Sequence, residues 1–170
     1  DLDYLRYVTT RKIAEQYMRQ SNISRTQGYP VITHSIPAYL ALQQQRQLYG
    51  PAPLQKRLEK NYDIYLKGRA KEENAEPALL QSDEQSDYVS EQKGGYALYK
   101  LSRIAGAKTV NNAIRIFLDS AKTTTVPVNA GLFYRELQAA VGGEHAAFLQ
   151  SVFESADLLK PENDITNGDR

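Results

Sequence analysis

Four polar side chains near the start of the chain have types and a spacing that could do chemistry: Arg11, Lys12, Glu15 and His34. Residues four apart on a helix share one face. Two imidazoles placed that way, with a glutamate directly after the first, hold a zinc ion and supply a base for its bound water. Here that frame reads Arg11-Lys12-Ile13-Ala14-Glu15. Arginine does not release a proton to bind metal. Lys12 has the wrong charge for a base at neutral pH and would repel a cation. Glu15 and His34 keep ligand chemistry. On spacing alone the stretch reads as a solvated charged face. Glu15 to Arg19 is an i,i+4 pair in the favourable order and Arg11 to Glu15 one in the less favourable order, each contributing roughly 0.2–0.5 kcal/mol.

These residues need helices to position them. Leu2, Leu5, Val8, Ile13 and Tyr17, with Tyr4 and Tyr7, give a stripe near helical spacing and predict a first helix over about residues 3–20. Residues 21–30 read as a polar loop ending at Gly28 and Pro30. A second helix starts near Thr33, carries Ile36, Tyr39, Leu40, Leu42 and Leu48, tolerates Pro37 in its first turn and ends at Gly50-Pro51. A third opens at Pro53, places Leu54, Leu58, Tyr62, Tyr65 and Leu66 inward, and stops at Gly68. Residues 70–87 are charged and predict a long surface loop pinned by Leu79 and Leu80.

The fourth helix spans about residues 88–104 and contains Gly94-Gly95. Two mid-helix glycines cost roughly 1 kcal/mol each against Ala, which a close helix crossing would offset. Residues 109–121 form a fifth helix with Val110, Ala113, Ile114, Phe117 and Leu118 buried. Residues 123–128 are a β-prone connector. Asn129 caps a sixth helix over 130–141, Gly142-Gly143 breaks it, and 144–156 is the seventh. His145, at that helix start, is expected to be exposed. The strand signal is poor throughout, so the chain predicts a single all-α domain over 1–159, a bundle of about seven helices, with 160–170 a mobile tail.

Composition narrows the function classes. The chain has 170 residues, no cysteine, and 21 basic against 20 acidic side chains for a net charge of +1. That excludes thiolate chemistry, disulfides and cysteine zinc sites, and gives no charge prior for nucleic acid or membrane surfaces. Hydrophobic content is 41% and mean hydropathy -0.56, so a very polar surface is expected. No apolar run approaches the roughly 20 residues that span a bilayer, no signal-peptide pattern is present, and the compartment stays open. The opening in helical pattern without an initiator Met fits an excised domain. Of the 12 tyrosines, those at helical spacing, as Tyr62, Tyr65, Tyr96 and Tyr99, are expected at the core edge with wet hydroxyls.

The flanks of the charged frame add a resemblance. Thr10 to Tyr17, TRKIAEQY, resembles the T-H-E-I-A-H-Q-Y of aminopeptidase N-like gluzincins. Thr33 to Leu42, THSIPAYLAL, resembles the segment around that family's third zinc ligand, a glutamate. Eighteen residues intervene between Glu15 and His34, the family's gap, so His34 stands in the third-ligand slot. Tyr49-Gly50, Tyr65 to Arg69 (YLKGR) and Tyr88 to Tyr99 (YVSEQKGGYALY) are similar to further family segments. In the last of these, Glu91 occupies the slot of a tyrosine that stabilises the oxyanion. The likeness covers about residues 2–159 and is nearest to the peptidase-like domains associated with ABC-transporter permeases.

The resemblance implies the helical half of a thermolysin-like catalytic domain whose chemistry has been replaced. The family's strand-rich half, with its substrate-anchoring motif, is absent from this chain. Arg11, Lys12, Glu15, His34 and Glu91 are then vestigial active-site positions, with no catalytic or metal-binding residue and no cofactor. Loss of one oxyanion donor typically costs on the order of a hundredfold in rate, and Glu91 would repel the charge outright. The implied function is a catalytically inactive structural or interaction module, either a natural pseudopeptidase or a deliberately resurfaced, excised subdomain. The missing peptidase half and a transporter subunit are its candidate partners. The alternative is a zinc-dependent peptidase with a rearranged ligand set of Glu15, His34 and Glu91. A third possibility is partner binding in the groove between the first, second and fourth helices.

Overall fold

The computed structural model describes residues 2–73 and 75–162, and the expected tail lies outside these from residue 163 on. The fold is all-α, a bundle of seven helices with no strand among the described residues. Helix α1 spans Leu2–Gln20, α2 Ile36–Tyr49, α3 Pro51–Arg69, α4 Gly95–Ile104, α5 Ala107–Thr123, α6 Ala130–Val141 and α7 Ala146–Leu149. Single 3-10 turns lie at Leu79–Gln81 and Gly143–His145. One parallel bridge joins Ile23 to Val128, so the β-prone connector ties the loop after α1 to the start of α6. Asn129 caps α6 as expected, its Oδ1 accepting from the Leu132 amide at 3.0 Å.

Pro37 is not in a first turn. Helical winding is already under way at Tyr29, and residues Val31–Ser35 form a π turn running into α2. Proline has no N–H for the fourth residue back, and its ring crowds that carbonyl. The wide turn just upstream carries the chain through this position, with the Ile36 amide donating to the Val31 carbonyl five residues back. A second π turn, Tyr88–Gly94, runs into α4, and a third, Gln150–Glu154, extends α7.

The first helix is rotated from its expected setting. Its inward residues are Tyr7, Glu15 and Met18. Leu2, Leu5, Tyr4, Ile13 and Tyr17 are exposed, Ile13 by 67%. Polar pairings hold this face instead. The Asn61 amide donates to the Tyr7 hydroxyl at 3.1 Å, Thr10 bonds Gln44, and Gln45 Nε2 donates to the Asp3 carbonyl at 2.8 Å. A buried polar group that finds its partner costs little, so the apolar stripe does not decide the helix's orientation.

The core lies between α2, α4, α5 and α6. Tyr39, Tyr99, Phe117 and Phe133 are fully buried, with the two phenylalanine rings edge to face at 5.4 Å. Gly94 and Gly95 mark the crossing of α2 with the run into α4. A Cβ on Gly94 would lie 2.1 Å from Ser35 Oγ, and one on Gly95 would lie 2.5 Å from the Ala38 Cβ. Gly68 does not stop α3, which continues to Arg69. It makes room for the Tyr88 ring, 2.4 Å from where its Cβ would be.

The loop over residues 70–87 is less superficial than its composition implies. Leu79 is fully buried, and so is Glu76 apart from a small fraction. Glu76 receives the Lys93 ammonium at 2.9 Å, the Tyr65 hydroxyl at 2.6 Å and the Arg69 guanidinium at 2.5 Å.

Candidate functional site

The five positions singled out from the sequence meet on one side of the bundle. Arg11 and Glu15 project from α1, His34 from the π turn before α2, and Glu91 from the π turn before α4. Arg11 pairs with Glu91 across eighty residues of chain. Gln92 Nε2 donates to the other oxygen of Glu91 at 2.8 Å. Arg11 therefore does not pair with Glu15, as the i,i+4 spacing allowed. Glu15 is held by Lys12 at 2.8 Å and by Arg19 at 3.1 Å.

His34 is buried behind this network. Arg19 reaches its Nε2 at 3.2 Å. A guanidinium only donates, so Nε2 accepts and the neutral ring carries its proton on Nδ1. That Nδ1 is buried without a hydrogen-bond partner and lies 4.0 Å from Glu15 Oε1. The Asp87 carboxylate approaches Nε2 at 3.5 Å. Burial lowers the His34 pKa below its ordinary value; Asp87 and Glu15 push back upward, and Arg19 adds to the lowering. For Glu15, burial alone would raise the pKa, but the hydrogen bond from Lys12, the nearby His34 and the bond from Arg19 prevail and lower it.

Tyr7 is buried beside Arg11 and Glu91. Burial, then the Glu91 carboxylate, pushes its pKa up to about 12, so its hydroxyl stays protonated at neutral pH. Each carboxylate among the five positions thus has a cation on it. Glu15, His34 and Glu91 do not form a ligand set, and among the described residues no three His, Cys, Asp or Glu side chains gather as a metal site. The physical reason is charge pairing: a metal at Glu15 or Glu91 would have to displace Lys12, Arg19 or Arg11.

Several participants were not singled out from the sequence. Asp87 approaches His34, and Glu84 pairs at 3.1 Å with Arg19, whose pairing with Glu15 the spacing predicted. Glu84 and Asp87 sit in a charged loop with no periodic signal to mark them. Arg57 and Asn61 did carry one, because they fall with Leu54, Leu58 and Tyr65 on the buried face of α3. His145, expected to be exposed, is partly covered, its side chain 18% exposed and 3.4 Å from Glu144. Tyr65, Tyr96 and Tyr99 are core residues and not edge ones.

Comparison with protein-family models finds no match, and comparisons with curated proteins and with solved structures find no significant one.

Proposed function

We propose that this chain is a non-catalytic helical domain built on the frame of an aminopeptidase N-like gluzincin, the helical half of a thermolysin-like domain, and that it serves as a structural or interaction module. One observation carries the reading. Five positions assigned by motif, spread over residues 11–91, converge on one patch and neutralise one another there. The pairing of Arg11 with Glu91 and the approach of His34 to Glu15 support this reading. The outward face of α1 supports the interaction role. Leu2, Leu5, Ile13 and Tyr17 are exposed along it, where a strand-rich peptidase half or a transporter subunit would pack.

The test is to restore the chemistry. In the variant Arg11→His, Lys12→Glu, Glu15→His, His34→Glu, the family frame predicts one zinc ion per chain by elemental analysis after dialysis, with none in the parent. A folded quadruple variant that binds no zinc would sink the frame. Stoichiometric zinc in the parent, removable with loss of aminopeptidase activity, would sink the non-catalytic reading.

A further inference from the structure

Beside the charged patch, α1 and α3 enclose a cavity of about 390 Å³, within the size range of small-ligand sites. Its floor is Arg57. That residue is only 7% exposed, yet its guanidinium has no ion pair and no hydrogen bond among the described residues, and its Nε is buried without a partner. Burying an unpaired cation is costly. Two rings hold it in place: its Cζ lies 4.5 Å from the Tyr4 centroid and 5.3 Å from that of Tyr7. Stacking fixes the plane of a guanidinium and leaves its edge free for a planar, bidentate acceptor.

The rest of the lining agrees in sign and adds an apolar wall. Lys60 and Lys67 stand at the exposed mouth, and the only free carboxylate on the lining is that of Asp63, since Glu91 is taken by Arg11. Gln92 also lines the cavity, but its Oε1 is buried and presents no open surface to a ligand. Tyr4, Val8 and Ile64 supply apolar wall. A lone inorganic anion would answer the arginine but not the wall.

We propose that this cavity binds a small organic carboxylate that carries an apolar group. The carboxylate lies edge-on to Arg57, and the apolar group rests on Tyr4, Val8 and Ile64. This assignment stands on Arg57 and the apolar wall and does not depend on the gluzincin frame. The same chemistry is offered by the free end of a peptide, so both sources are tested.

The experiment is heteronuclear NMR titration of the whole chain with N-acetyl-phenylalanine, an acetylated tripeptide ending in phenylalanine, N-acetyl-phenylalaninamide and inorganic phosphate. The expected result is a Kd of about 1 mM or lower for N-acetyl-phenylalanine, with shifts centred on Tyr4, Asn61 and Gln92. Binding of the amide should be at least tenfold weaker. Tripeptide binding of equal strength would assign a peptide terminus as the source; much weaker binding would assign the free acid. Arg57→Met should remove the preference for acid over amide. Should that variant not fold, exposed Lys60→Glu should weaken the acid at least threefold and leave the amide unchanged. Equal binding of acid and amide, phosphate binding as tight as the acid, or shifts elsewhere would each overturn the assignment.

Discussion

His34 lies between one arginine and two carboxylates, and its protonation is tied to folding. Its folded pKa is below the ordinary value of 6.5. The native state therefore binds fewer protons than the unfolded chain once the pH drops toward that value. Stability is full above it and falls as the solution is acidified from about 6.5 down through the lowered folded value. Glu15 acts in the same direction at a lower pH: its folded pKa is below 4.5, so its contribution is present above that value and is lost under it. The urea midpoint should accordingly fall between pH 7.5 and pH 5.5. His34→Gln, which still offers an oxygen to Arg19, should flatten that limb; an unchanged slope would remove His34 as its source. The Glu15–Arg19 pair was legible because i,i+4 neighbours share a helix face. The rest of the electrostatics was not, because Asp87 reaches His34, and Glu84 reaches Arg19, only through the packing of the 70–87 loop against α1.

At the scale of elements, helix count and the caps were legible because they follow from local chemistry: the stripe of α5, the Asn129 cap and the breaks at Gly50 and Gly142 all depend on near neighbours. The orientation of α1 was not. Its most apolar face is outside, and the inner face is chosen by paired polar groups on α2, α3 and the π turn before α4. The glycine pair was read as a close crossing, and the geometry makes it quantitative. Gly94→Ala gains about 1 kcal/mol of helix propensity. Its Cβ, however, needs the space of Ser35 Oγ, which donates to the Ser90 carbonyl at 2.6 Å. Overpacking costs about 1–3 kcal/mol, and a buried carbonyl left without its donor about 1–3 more. Chemical denaturation should show Gly94→Ala less stable by about 2 kcal/mol. A stabilised variant would mean that the helices part without penalty and that the glycines do not set the crossing.

At the scale of the whole molecule, the segment between α3 and α4 is closed onto the bundle by a single buried charge cluster. Glu76 and Lys93 have fully buried side chains and meet at 2.9 Å. The second Glu76 oxygen is shared by Arg69 and Tyr65, and burial, then the bond to Glu76, raises the Tyr65 pKa well above its usual range. Such a cluster fixes where the loop docks more than it adds net stability, since desolvating two charges offsets most of their attraction. Removing one partner is another matter, because the remaining charge is stranded. Lys93→Met should cost about 3 kcal/mol, the low end of the range for breaking a buried pair, because Arg69 still faces Glu76. Glu76→Gln combined with Lys93→Met leaves a neutral acceptor for Tyr65 and Arg69 and no stranded carboxylate. That double variant should recover at least half of the loss, by urea unfolding followed through circular dichroism. If it were instead as unstable as the sum of the two single changes, the two residues would be acting independently. The loop would then be held by Leu79 and its apolar contacts, and not by the charge that the sequence placed in an otherwise exposed-looking segment.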